Sequence, residues 1–173
     1  MKKYLLVFLF SIFSFSIDWH STDNIEKISN IAKVGDIILY KPSNATFVSR
    51  WGHCMIVVEG NKIVDYPSMK IGLREFPFYF LNNQKREFVL LRYKYINDDI
   101  RSKMLTDIYD NYLFKKYFPL IPLDMDLGLT YCSHFVYRIF KDTTNVDVLG
   151  LPKSNIIMPL DFLNSKYFEV IQF

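Results

Sequence analysis

His53-Cys54-Met55-Ile56-Val57-Val58-Glu59-Gly60-Asn61-Lys62-Ile63-Val64-Asp65-Tyr66 is a pair of β-rich runs flanking Gly60-Asn61. Apolar and β-branched side chains fill both arms, and Gly-Asn supplies the left-handed backbone that a tight hairpin requires. The stretch predicts an antiparallel hairpin, but its register depends on the loop. A two-residue turn pairs Glu59 with Lys62 and puts Asp65 on the face opposite His53. A three-residue loop, Glu59-Gly60-Asn61, pairs Val58 with Lys62 and Met55 with Asp65, so that Asp65 shares the face of His53. Spacing alone leaves both open.

Outward from the hairpin, the chain alternates short strands with a few helices. Upstream, Ser21-Thr22-Asp23 followed by Glu26 reads as a helix start, with Ile25, Ile28, Ile31 and Ala32 at helical spacing. Gly35-Asp36 ends that helix and launches Ile37-Ile38-Leu39-Tyr40, a short buried strand. Downstream, Ile71–Phe76 and Glu87–Tyr95 are strand candidates. Asn97-Asp98 opens a helix in which Ile100, Met104, Ile108 and Tyr112 recur every four residues. Phe118–Thr130 is irregular, broken by Pro119 and Pro122. Tyr131–Phe140 carries a helical apolar stripe, and a final strand runs from Tyr167 to Phe173. The pattern predicts one α+β domain with a mostly antiparallel sheet or partial barrel.

Composition narrows the chemistry. The chain has 173 residues, half of them hydrophobic and 17% aromatic, enough for one compact domain and too few for two ordinary ones. Two cysteines cannot build a disulfide framework, and without a C-x-x-C pair a thiolate zinc site is not expected. The net charge of +3 has no basic stripe behind it, so no nucleic-acid partner is expected. Lys2-Lys3 and the apolar run from Tyr4 to Phe15 have the form of a signal peptide, too short to span a bilayer. The expectation is a signal over residues 1–16, an exported mature domain over 17–173, and no integral membrane span after signal removal. An uncleaved N-terminal anchor is the alternative. Removing Lys2 and Lys3 lowers the formal charge from +3 to +1.

A cysteine becomes a useful nucleophile where a helix N-terminus and a neighbouring imidazole stabilise its thiolate. Cys132 sits in the first turn of the helix expected after the irregular segment. There the unpaired N–H groups favour the thiolate, and its own N–H points where an oxyanion would form. Read singly, Cys132 is a small buried apolar residue and His53 a structural strand histidine. Strand alternation sets Cys54 on the face opposite His53, which assigns it to the core and excludes a Cys54–Cys132 disulfide if His53 faces Cys132. A third group must orient the imidazole, and Asp65 fills that place only in the three-residue register.

Gly35-Asp36-Ile37-Ile38, Trp51-Gly-His-Cys-Met-Ile-Val57 and Tyr131-Cys-Ser-His-Phe-Val136, in that order, resemble the circularly permuted NlpC-type papain-like cysteine hydrolases, and among them the YiiX-like branch. The segment from Ile157 to Ser165 is similar to the family's closing segment. The resemblance runs from about Ile31 to the C-terminus. It implies a permuted papain-like fold whose sheet packs against the helix that carries the cysteine. It implies Cys132 as nucleophile, His53 as general base and Asp65, twelve residues further on, as the residue that holds the imidazole. Tyr117 and Tyr131 fall at positions lining the site near the oxyanion or substrate. Phe118 departs from the pattern, where an aspartate is common. His134 departs too, and Cys132-Ser-His134-Phe is similar to the lecithin–retinol acyltransferase branch. At about 200° round the helix from Cys132, His134 reads as a packing or surface residue.

The resemblance implies a thiol hydrolase of amide bonds, with peptides or peptidoglycan fragments as substrates and neither metal nor other cofactor. A lipid acyl hydrolase or acyltransferase using the same site is the second reading, prompted by the Cys-Ser-His-Phe-Val run and the aromatic Phe76–Phe80 segment. A non-catalytic exported binding module is the third.

Overall fold

A computed structural model of the chain describes residues 17–173 apart from 47, 83, 120, 124 and 126. The proposed signal over residues 1–16 lies outside the described residues.

Among the described residues nine strands form in chain order: β1 (His20–Ser21), β2 (Ile37–Tyr40), β3 (His53–Val58), β4 (Lys62–Asp65), β5 (Arg74–Pro77), β6 (Glu87–Tyr93), β7 (Lys116–Tyr117), β8 (Leu129–Thr130) and β9 (Phe168–Ile171). The helices are α1 (Ile25–Ser29), α2 (Asp98–Asp107) and α3 (Cys132–Thr144). Strands β1 to β6 and β9 make one antiparallel sheet in the order β1-β6-β2-β3-β4-β5, with β9 also paired to β6. The expected mixed fold with a mostly antiparallel sheet is therefore present. The sheet is open, with β5 at one edge, and β7 and β8 form a separate parallel pair.

The sheet is buried on both sides because its central strands alternate between two apolar sets. Ile37, Leu39, Cys54, Ile56, Val89 and Leu91 pack with Phe135, Val136, Ile139 and Phe140 of α3 and with Met104 of α2. Ile38, Tyr40, Met55, Val57, Phe88 and Leu90 pack with Ile25 and Ile28 of α1 and with Phe76 and Phe78. This accounts for β2, whose four residues are all buried and whose sequence is continuous rather than alternating. Beside it, Arg92 grips the buried Asp36 with hydrogen bonds of 2.9 and 2.7 Å, so the Gly35-Asp36 step is tied to β6 as well as turning the chain.

Differences from the sequence reading lie at element ends. Strand β5 begins at Arg74 rather than Ile71, since Ser68–Gly72 closes a turn through backbone bonds to the Ser68 carbonyl. Helix α1 stops at Ser29, where the N–H groups of Ile31 and Ala32 both turn back on Ile28. Helix α2 starts where expected, with the Asn97 side chain accepting from the Ile100 N–H, and continues as a π turn over Ile108–Tyr112. Met104, Ile108 and Tyr112 are buried as the four-residue spacing requires.

Candidate active site

The hairpin takes the three-residue loop. Val58 pairs with Lys62, Val57 with Ile63 and Ile56 with Val64, while Gly60 and Asn61 occupy the left-handed region at φ 71° and 55°. Asp65 consequently shares the face of His53, and the His53 Nε2 stands 2.8 Å from Asp65 Oδ2. The Asp65 carboxylate is fully buried, which without partners would be prohibitive. Arg74, directly opposite on β5, supplies them: its Nε lies 3.0 Å from Oδ1 and its Nη2 2.8 Å from Oδ2. Burial pushes the Asp65 carboxyl up, but the bonds from His53 and Arg74 outweigh it and hold it below the usual carboxylate range. Asp65 thus stays ionised and fixes Nε2 as the protonated nitrogen, leaving Nδ1 as the second position of the ring.

Cys132 is the first residue of α3, reached from the extended Tyr131 at φ −146° and ψ 173°. The first N–H to close on a carbonyl four residues back is that of Phe135, at 2.8 Å from the Tyr131 oxygen. The thiol therefore sits at the positive end of a 13-residue helix. Hydrogen bonding from Cys54, together with the charge and hydrogen bond of His53, outweighs burial and lowers the Cys132 pKa well below an ordinary thiol. For His53, burial opposes the charged ring, but the Cys132 thiolate and the Asp65 carboxylate raise its pKa from 6.5 to about 10. Both shifts favour a thiolate–imidazolium pair of Cys132 and His53 over the neutral pair.

The Cys54 expectation needs correction. It is a fully buried core residue, both cysteines are free, and it does lie on the face of β3 opposite Met55 and Val57. It does not, however, point away from Cys132. Its thiol and its backbone are hydrogen-bonding neighbours of the Cys132 sulfur, alongside the His53 ring. The reason is positional: His53 and Cys54 open β3, so at the end of the strand both neighbours of one nucleophile can come from adjacent residues. Burial and the adjacent thiolate push the Cys54 thiol up, keeping it protonated as a donor.

These groups open into a cavity of about 510 Å³, lined by His53, Cys132, Tyr117 and Tyr131 together with Trp51, Met69 and Met158. Its far wall is pinned to the start of α3 through Ile157. The Ile157 N–H donates to the Tyr131 hydroxyl at 2.9 Å, and the Ile157 carbonyl accepts from Ser133 Oγ at 2.8 Å. Tyr131 is thus a cleft residue whose hydroxyl is committed to structure. Tyr117, on β7, is half-buried in the cleft, and burial followed by the charge of Cys132 raises its pKa, so it remains a proton donor near the sulfur. His134 is buried against Tyr131 with Nδ1 3.0 Å from Thr130 Oγ1, and it does not line the cleft. It is a packing residue.

The structure therefore brings together Cys132, His53, Asp65, Tyr117 and Tyr131. Arg74 and the donor role of Cys54 were not anticipated. Arg74 had a legible signal, since opposite charges directly across two antiparallel strands attract, but it required the β4–β5 register. Among the described residues, no group of three or more His, Cys, Asp or Glu side chains is arranged to hold a metal ion, and no helix is long and apolar enough to cross a membrane.

No family model and no curated protein matches the chain. Among solved structures it is similar to the metalloprotein YiiX from Escherichia coli O157:H7, with a TM-score of 0.62 and 15% identity. The alignment covers 81% of this chain and 96% of that one. At such low identity the likeness is one of fold: the chain has a YiiX-like fold.

Proposed function

We propose that the chain is a cysteine hydrolase of amide bonds, working through Cys132, His53 and Asp65 on a permuted papain-like fold. The observation that carries this reading is the chain of contacts from Asp65 through the His53 ring to the thiol of Cys132, at a helix N-terminus and open to a cleft. The order of elements supports the permutation, because the histidine strand β3 precedes the cysteine helix α3. Cys132 attacks the carbonyl carbon as thiolate, and the oxyanion forms beside the Cys132 N–H and Tyr117. His53 gives its proton to the leaving amine, then takes one from the water that resolves the thioester. Asp65 keeps the ring oriented, and Arg74 keeps Asp65 ionised.

YiiX is described as a metalloprotein. The donor set here does not suit a resident metal: Asp65 is occupied by Arg74 and His53, and among the described residues no third acidic or imidazole ligand joins Cys132 and His53. No step is routed through one. Residues 1–16 as signal peptide, 17–173 as a single domain and an exported location belong to the same proposal, and they suit a substrate such as a peptidoglycan peptide.

A second reading, hydrolysis or transfer of a lipid acyl group at the same thiol, is favoured by one observation: among the described residues, no Lys, Arg, Asp or Glu lines the cleft. The deciding experiment is mass spectrometry of the protein after incubation with muropeptides and with phospholipids. An acyl adduct on Cys132, absent from Cys132→Ala, is expected, and its mass separates the two substrate classes. Failure to trap any adduct or detect any turnover would leave a binding module as the better account.

A further inference from the structure

We propose that the mouth of the cleft docks on the surface of an anionic phospholipid bilayer. Two adjacent segments, around Met69 and around Tyr117, contribute to the lining of the cleft. One carries Met69 and Lys70, the other Phe114, Lys116 and Phe118, and a Cβ at Gly72 would stand 4.0 Å from the Lys115 carbonyl oxygen, so the segments abut. Met69 is 73% exposed, Phe114 87%, Phe118 46% and Trp51 50%. Met69 and Trp51 line the cleft itself, and Phe118 lies in the chain between Tyr117 and Pro119, which line it too.

An apolar rim of this kind marks an interaction surface. Its chemistry selects the partner. Lysines interleaved with aromatic and aliphatic tips match a bilayer interface, where apolar side chains enter the acyl boundary and ammonium groups meet anionic headgroups. A cleft whose described lining carries no charged side chain beyond the Cys132–His53 pair, opening beside such a rim, would receive an apolar chain directly from that surface. The docking face goes beyond the hydrolase reading and stands apart from it, because it needs no turnover.

The test uses the full chain carrying Trp19→Phe, which leaves Trp51 as the one tryptophan. It is mixed with phosphatidylcholine vesicles containing about one-third phosphatidylserine, with and without brominated acyl chains, at rising salt. Trp51 emission is expected to shift to the blue and to be quenched by the brominated lipid, with binding weakened by salt. A Met69→Ser/Phe114→Ser variant, altered only at exposed positions, is expected to lose about tenfold or more in vesicle affinity. Cys132→Ala assayed in parallel keeps the result independent of catalysis. Vesicle association without any change in Trp51 emission would mean that the apolar run at residues 4–15 alone holds the membrane, and it would overturn the proposal. So would no association at all, or association that the double variant leaves unchanged.

Discussion

His53 Nε2 and Asp65 Oδ2 stand 2.8 Å apart because three residues, not two, separate strands β3 and β4. One residue fewer in the register would have turned Asp65 to the other face of the sheet. The contact gives His53 its orientation and, with the Cys132 thiolate, its raised pKa of about 10. Four predictions follow the consequences outward.

Asp65→Asn should alter both rate and pH dependence. Expulsion of an alkoxide or amine needs the His53 proton, so kcat/KM for an N-acyl amino acid ethyl ester should fall on the alkaline side with a midpoint near 10 in the wild type. Without the carboxylate, His53 holds its proton less tightly, and that midpoint moves to lower pH. The rate should fall by on the order of 100-fold. An unchanged alkaline limb would remove Asp65 from the mechanism.

Arg74→Met should act mainly through stability. Asp65 has a depressed pKa in the folded chain, so its contribution is present above its unfolded value and is lost as pH falls through the folded one. Removing Arg74 raises the folded value and shrinks that contribution. Because Arg74 is partly exposed, the loss at neutral pH should be about 1–2 kcal/mol. Urea unfolding at several acidic pH values should show a shallower pH dependence than the wild type. Identical slopes would mean that the guanidinium does not hold the carboxylate in solution.

Gly52→Ala tests the strand entry beside His53. Gly52 has φ 79°, and an added Cβ would stand 2.6 Å from the Tyr40 carbonyl oxygen. Either β2 and β3 separate at this end or the backbone rotates, and both displace His53. A loss of about 2 kcal/mol in stability is expected, together with a fall in esterase rate. Normal stability and rate would show that the approach of Tyr40 to Gly52 is not required.

Much of this arrangement was legible beforehand, and the reasons are local. Gly60-Asn61 marked the hairpin, the breakers before Tyr131 marked the start of α3, and the four-residue spacing from Ile100 to Tyr112 marked α2. Helix position and strand position made Cys132 and His53 candidates, loop length left Asp65 open, and their catalytic roles came only from the family resemblance. Cys54 was misjudged because alternation describes the middle of a strand, whereas Cys132 meets the end of one. Arg74 stayed hidden because its role depends on pairing across β4 and β5, with the register set by the turn between Tyr66 and Leu73. The short β7–β8 pair was also hidden, since two-residue strands carry no periodicity.

The central claim, a thiolate at Cys132 held by His53, is tested most directly by the pH dependence of alkylation with iodoacetamide, with the modified site read by mass spectrometry. Cys132 should react near its plateau rate at about pH 6, far below the ordinary thiol pKa of about 8.5. His53→Ala should move that reactivity to alkaline pH, while buried Cys54 stays unmodified. A wild-type Cys132 that becomes reactive only as pH rises through about 8.5, or a Cys54 modified just as fast, would contradict the account.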